Sequence, residues 1–175
     1  MLLVADVGNT RTKLGMFEGE NLKATWTIAT DIHRSVDELA SLLFFLLGHE
    51  GLAISNIRGV AMCSVVPPLT PVFRELFKRY FKTVPLVVEA GVKTGVAIRM
   101  DNPREVGTDR IVVAAAAHQL YRKPVIIIDT GTATTFDVVS GEGEYLGGAI
   151  APGINTAAEA PVSYTHLTLP TKRIV

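Results

Sequence analysis

Two short segments near opposite ends of the chain combine the residue types that hold phosphate groups and hard metal ions. The first is Asp6-Val7-Gly8-Asn9-Thr10, which follows an apolar run from Leu2 to Ala5 and leads into Arg11-Thr12-Lys13. The second is Asp129-Thr130-Gly131-Thr132-Ala133-Thr134-Thr135, which follows Val125-Ile126-Ile127-Ile128. A carboxylate at the carboxyl end of a buried strand, such as Asp6, can hold a hydrated Mg2+. Gly8 lets the backbone approach a phosphate closely and take a positive φ angle. The Thr10 hydroxyl and neighbouring backbone N–H groups can donate to phosphoryl oxygens. Lys13 offers a mobile positive charge near the same spot, unless strand alternation turns it away. A plainer reading stays open for this segment alone: an Asn-containing turn in which Asp6 only hydrogen-bonds its own loop. The second segment weighs against that. Its four threonines in positions 130–135 reflect strand propensity in part. Asp129, however, closes an apolar run where an unpaired carboxylate is costly, so a metal or a donor network is its natural partner.

Two further segments carry candidate chemistry. In Gly107-Thr108-Asp109-Arg110, Thr108 or Asp109 reads as an N-cap before the apolar run Ile111 to Ala117. The same residues also read as a catalytic base, Asp109, beside an anion clamp, Arg110. A helix N-terminus makes a carboxylate a weaker base, but phosphoryl transfer needs positioning more than strong deprotonation. Gly147-Gly148-Ala149-Ile150-Ala151-Pro152-Gly153 is either a strand end with its turn or a place where backbone approaches a ligand closely. His33, His49 and His118 lack ligand-like spacing and read as surface residues. Zinc-site, Walker A and nucleophile-elbow patterns are all missing from the sequence.

Strands and helices must bring these segments together. Residues 2 to 7 read as a buried strand, followed by a turn at Gly8-Asn9-Thr10, a strand through Phe17, and a third strand from Leu22 to Ile28. Asp31 or Ser35 caps a helix with Val36, Leu39, Ala40, Leu43, Leu46 and Leu47 on its apolar face, stopped by Gly48. A strand from Ile57 to Val66 ends at Pro67-Pro68. Thr70 caps the next helix, with Pro71 at its first position. Pro85 to Glu89 is a short strand and Gly91 to Gly107 a loop. This β-β-β-α-β-α-β order is the ribonuclease H-like pattern, a mixed α/β sheet. A helix over about 108–121 then leads into strands at Val125–Asp129, Thr134–Ser140 and Tyr145–Ile150. Asp129 lies 123 positions after Asp6, and strand, aspartate, glycine and turn are expected to repeat in register at that offset.

The expected organisation is therefore α/β, with two ribonuclease H-like domains and the second incomplete. Residues 1–106 form the first, 107–160 begin the second, and 161–175 read as a non-native tail. That tail fits nothing before it and resembles translated adapter read-through, although a divergent C-terminal strand is the alternative. At 175 residues the chain is long enough to bury a real core. Seventeen basic and seventeen acidic residues balance, so bulk electrostatics make no case for nucleic acid or an anionic membrane. Cys63 is the only cysteine, which fits a reducing compartment. With no signal-like start and no apolar run long enough to span a bilayer, a cytoplasmic protein is the expectation.

Taken together, four segments resemble the type III pantothenate kinase family. They are Asp6 to Lys13, Asn102-Pro103-Arg104-Glu105-Val106-Gly107-Thr108-Asp109-Arg110, Asp129 to Asp137, and Gly147 to Gly153. The resemblance runs from residue 1 to about 160. It implies the acetate and sugar kinase/Hsp70/actin fold and ATP-dependent phosphorylation of pantothenate, the first step of coenzyme A synthesis. It also implies a cytoplasmic homodimer that needs Mg2+ and a monovalent cation, K+ or NH4+.

The implied roles fall on particular residues. Asp6 holds Mg2+ through water, while Gly8, Asn9, Thr10 and Lys13 cradle the ATP phosphates. Asp109 is the base for the pantothenate hydroxyl, and can still serve the helix end. Gly107 and Arg110 help seat pantothenate and its carboxylate. Asp129 supports the metal, with Thr130, Gly131, Thr132 and Thr134 forming the second phosphate loop. Ile154, Asn155 and Thr156 fall where the family lines the partner subunit's pocket. Thr108 stands where the family usually has Ala, and Met100 where many members have an aromatic residue near the substrate. The family's adenosine-binding glycine motif is not in this sequence, so a chain without catalytic activity is one expectation. Two other readings are a non-catalytic regulatory relative and another superfamily enzyme, such as a sugar kinase or a polyphosphate phosphatase. The intact Asp6, Asp109 and Asp129 speak against the first. The segment from Gly107 to Arg110 favours pantothenate over the second.

Overall fold

A computed structural model describes residues 1–89 and 91–158; the proposed tail 161–175 lies outside them. The first unit opens with three antiparallel strands, β1 Leu2–Val7, β2 Arg11–Glu18 and β3 Asn21–Ala29. Helix α1, Val36–His49, follows, then β4 Gly59–Ser64, helix α2 Leu69–Tyr80 and the short strand β5 Leu86–Val87. The sheet runs β3-β2-β1-β4-β5, with β4 parallel to both β1 and β5. Strand alternation divides β1 between two faces. Leu3, Ala5 and Val7 turn into the main core beneath α1 and α2, with Leu39, Leu43, Phe73, Leu76 and Phe77. Each large side chain buried there contributes roughly 1.5–3 kcal/mol. Asp6 belongs to the opposite face.

Helix α3, Thr108–Tyr121, packs between this sheet and a second one, touching β4 on one side and β7 and β8 on the other. The second sheet orders β6 Ala97–Ile98, β9 Glu144–Pro152, β8 Ala133–Val139 and β7 Val125–Thr130. Strands β7, β8 and β9 repeat the opening meander. Among the described residues, the parallel strands that follow the meander in the first unit have no counterpart in the second. The repeat is also not in full register. Asp6 pairs with Lys13, seven positions on, whereas Asp129 pairs with Thr135, six positions on. The second turn is one residue shorter.

Several local expectations need correction. Ser35, not Asp31, caps α1 through a capping box with Glu38, because Asp31 spends its carboxylate on the His33 N–H in its own turn. That helix runs past Gly48 to His49, and Gly51 takes the left-handed turn at φ +66°. Helix α2 starts at Leu69, not at Pro71. Pro68 already has helical angles, and the Leu69 N–H bonds the Val66 carbonyl. Strand β4 stops at Ser64 because the Val66 N–H turns back to the Ser64 hydroxyl. The loop Gly91–Gly107 contains β6, whose two residues are too few to show alternation. His118 is not a free surface residue: its Nδ1 is buried without a hydrogen-bond partner.

Candidate active site

The first loop is braced from below. Gly8 donates its N–H across the turn to the Arg11 carbonyl at 3.1 Å, so that N–H is not free for a phosphate. Its φ is not positive. The expected left-handed conformation is absent, and what position 8 needs is space: a methyl group there would lie 2.9 Å from the Arg11 carbonyl oxygen. The Thr30 hydroxyl donates to the Gly8 carbonyl at 2.7 Å and lies 2.9 Å from the Thr12 hydroxyl. Asn9 and Thr10 stay exposed at the tip. Lys13 and Cys63 flank Asp6 on the neighbouring strands, so the three lie in one row across the sheet. Lys13 therefore does serve the aspartate's face. The Cys63 thiol donates to Asp6 Oδ1 at 3.4 Å.

The second loop meets the first. The Thr132 hydroxyl donates to that of Thr10 at 2.8 Å, joining residues 122 positions apart. Since Thr132 supplies the hydrogen, the Thr10 hydroxyl keeps its own to donate onward. Thr130 and Thr134 face each other at the hairpin mouth, and Thr134 donates to the Pro152 carbonyl at 3.2 Å. The Gly131 N–H donates back to the Ala133 carbonyl at 2.9 Å, as Gly8 does in its own turn. Asp129 is exposed rather than buried, so the expected desolvation cost does not apply to it. Among the described residues its strand β7 is an edge strand, and the apolar run beside it is half-uncovered. Gly153 supports this loop by close approach: a methyl group there would fall 2.4 Å from the Thr132 carbonyl oxygen.

The third element enters on α3. Neither Thr108 nor Asp109 is the N-cap; Gly107 holds that position, without a side-chain cap. The Thr108 hydroxyl instead donates to the Ser64 carbonyl at 3.0 Å and ties the helix to the end of β4. Asp109 sits half-buried in the first turn and accepts the Arg110 N–H at 2.8 Å. A methyl group at Gly107 would lie 2.5 Å from Asp109 Oδ1, so that glycine makes room for the carboxylate. Arg110 is not free. Its Nε donates to Asp137 Oδ1 at 2.8 Å. Its Nη2 is buried and forms an ion pair with the same oxygen at 2.6 Å. Met100 stands against Gly147, where φ is +114° and a methyl group would lie 2.8 Å from the methionine sulfur. The segment 147–152 is thus strand, with Gly153 just beyond it, and its glycines admit neighbouring groups.

These elements bring three carboxylates to one cleft. Burial raises the Asp6 pKa above its ordinary value; the thiol of Cys63 and the charge of Lys13 oppose this, and the charges of Asp109 and Asp129 add to it. Burial, with Asp6 beside it, also pushes the Cys63 thiol up, so it stays protonated and donates. A cation relieves such a concentration of negative charge. Among the described residues, no group of three or more His, Cys, Asp or Glu is placed to hold a metal. One or two carboxylates with water and phosphate oxygens suit Mg2+, which dehydrates reluctantly. Asp6 and Asp129 therefore fit that ion. Asp137, Tyr145, Thr30 and Cys63 are not among the site residues that the sequence motifs point to; Asp137, Thr30 and Cys63 act on partners 27, 22 and 57 positions away, and Tyr145 acts on Asp137 across the adjacent strand.

Two ribonuclease H-like units with a threonine-bearing loop from each, facing across a cleft, define the acetate and sugar kinase/Hsp70/actin class. The activator of 2-hydroxyisocaproyl-CoA dehydratase from Clostridium difficile, solved with bound ADPNP, shares this fold. It matches with a TM-score of 0.54 at 16% identity, over 96% of this chain and 52% of its own. The family model for type III pantothenate kinase matches residues 2–172. A type III pantothenate kinase of Dehalococcoides mccartyi is 59% identical over 164 residues, 94% of this chain and 62% of that protein. One from Streptomyces avermitilis is 54% identical over 165 residues, 91% of this chain and 62% of that protein. The chain belongs to the type III pantothenate kinase family, and it spans about 62% of the length of these curated relatives. Among the described residues, no helix is long and apolar enough to cross a membrane.

Proposed function

We propose that the protein containing this chain transfers a phosphoryl group from ATP to the primary hydroxyl of pantothenate. The product is 4'-phosphopantothenate, the first intermediate of coenzyme A synthesis, made in the cytoplasm by a homodimer. The observation that carries this reading is the convergence of Asp6, Asp109 and Asp129 at the junction where Thr10 bonds Thr132. Loops from two units so placed can hold a triphosphate between them, with Asn9, Thr10, Lys13, Thr130, Thr132 and Thr134 as donors and Gly8 and Gly131 keeping the backbone close. Gly107, Thr108, Met100 and Arg110 surround the first turn of α3, where pantothenate would lie with its hydroxyl at Asp109. Asp109 takes the hydroxyl proton as the new P–O bond forms, and ADP leaves. Asp6 and Asp129 would hold Mg2+, which supplies charge neutralisation at the phosphates. A monovalent cation, K+ or NH4+, and a pocket completed by the partner's 154–156 segment belong to the same reading. The same reading divides the domains at 106/107 and takes residues 161–175 as a non-native tail.

The test is ADP release coupled to pantothenate phosphorylation by the full-length gene product, with K+, NH4+ or neither. Asp109→Asn should lower kcat by about 100-fold or more, as loss of a general base does, with pantothenate affinity nearly kept. Full activity in that variant would remove Asp109 from the mechanism.

A further inference from the structure

Arg110 occupies the third residue of α3, a poor place for a cation, because a helix N-terminus carries positive potential. Yet two strands of the second sheet build a seat for it. Asp137 on β8 is 2% exposed. Its Oδ1 accepts from Arg110 Nε at 2.8 Å and from the Tyr145 hydroxyl at 2.5 Å, while Oδ2 accepts from the Thr135 hydroxyl at 3.2 Å. Gly148 on β9 is the cross-strand partner of Asp137. A methyl group there would lie 2.7 Å from Arg110 Nη2 and 1.9 Å from the Phe136 carbonyl oxygen. Stability alone does not explain the arrangement, since a buried ion pair is often no better than packed apolar side chains. What it provides is a guanidinium fixed in direction: Nε and Nη2 lie 2.8 and 2.6 Å from Asp137 Oδ1, and the side chain keeps 16% of its surface exposed. The Tyr145 hydroxyl, pushed up to about 12 by burial and by Asp137, remains a donor throughout the working pH range.

We propose that Asp137 is a positioning residue. With Tyr145 and Gly148 it holds Arg110 so that the part of the guanidinium turned away from Asp137 receives the substrate's anionic end beside Asp109. Asp137 itself touches no substrate. This rests on the pantothenate reading, and it makes the preference for a carboxylate over a neutral group depend on a residue of β8.

Two measurements test it. The first is the 15N-resolved Arg110 Nε–H signal, which should exchange slowly in the native chain and lose that protection in Asp137→Asn. Protection retained in the variant overturns the positioning role whatever the ligand is. The second is calorimetric affinity for pantothenate and for its neutral carboxamide, measured on the full-length gene product. The native protein should favour the carboxylate by about tenfold, the worth of one charge-assisted hydrogen bond. Asp137→Asn should bring that ratio near one while leaving carboxamide affinity within about twofold, and Tyr145→Phe should lower it partway. In an Arg110→Met background, Asp137→Asn should cost nothing more. An equal loss for both ligands would mark a merely structural role and overturn the proposal. A native protein that binds neither ligand refutes the pantothenate reading instead, and the Nε–H result then judges the positioning role alone.

Discussion

Thr30→Val isolates how the first phosphate loop is held. Thr30 follows β3, and its single hydroxyl hydrogen goes to the Gly8 carbonyl at 2.7 Å. Thr12, 2.9 Å away and only 1% exposed, must then donate to the Thr30 oxygen. Valine keeps the shape, removes both bonds, and leaves the Thr30 N–H on the Thr10 carbonyl at 3.0 Å. The Gly8 carbonyl is half-buried and can recruit solvent. Thr12 cannot, and an orphaned buried hydroxyl costs about 1–3 kcal/mol. A cavity of about 10 Å3 lined by Thr12, Thr30 and Asp31 among others is the size that admits one water. Such a water would satisfy Thr12 and keep the total loss to about 1.5–2 kcal/mol. For a chain of this length that is a fall in Tm of about 3–8 °C. Thermal melts give the number, and amide exchange at Gly8 shows whether the turn has loosened. Thr12→Val added to Thr30→Val removes the need for that water and should recover part of the loss. A Thr30→Val protein that melts like the native one, with Gly8 exchange unchanged, would show that the hydroxyl chain does not hold the loop.

Two further expectations concern the same cleft. Burial, reinforced by Asp109 and Asp129, holds the Asp6 carboxyl above its usual range, so the native state binds that proton more tightly than the unfolded chain. Stability from this group is present at low pH and falls as pH rises through the raised pKa. With divalent ions chelated, Asp6→Asn should therefore raise Tm at pH 7 and give no gain below about pH 4; the same gain at both would contradict the burial argument. The two loop glycines should differ sharply. Gly153→Ala drives a methyl group to 2.4 Å from the Thr132 carbonyl oxygen and should cost about 1–3 kcal/mol. Gly131→Ala meets nothing closer than 3.7 Å and should stay within about 0.5 kcal/mol. Urea denaturation of both distinguishes them, and equal losses would refute the close-approach account.

Local physics was legible in the sequence, and pairings across the chain were not. The meander strands and the bounds of α3 are legible in the sequence, whereas residue type leaves both Asp31 and Ser35 open as the cap of α1. Gly8 shows the limit of residue type: glycine permits a positive φ, but the structure uses its small size instead. Asp129 shows the limit of hydropathy. The run before it reads as buried on both sides, yet among the described residues Ile126 and Ile128 are 67% and 59% exposed on an edge strand. Cys63 on Asp6, Thr30 on Gly8 and Asp137 on Arg110 join residues 57, 22 and 27 positions apart. No periodicity announces such contacts.

The two loops are alike in plan and unequal in support. Asp6 is half-buried because β4 lies along the far side of β1 and places Cys63 beside it. No described strand does this for β7, and Asp129 stands at an open edge. On the sheet face away from α3, Ile126, Ile128, Phe136 and Val138 form one row of apolar side chains left exposed. The electrostatic environment of Asp6 is thus set by its own unit, with Asp109 and Asp129 adding charge from across the cleft. A metal shared by the two aspartates would then be anchored by Asp6, with Asp129 the adjustable partner. The Thr132–Thr10 hydrogen bond is what brings that partner within reach.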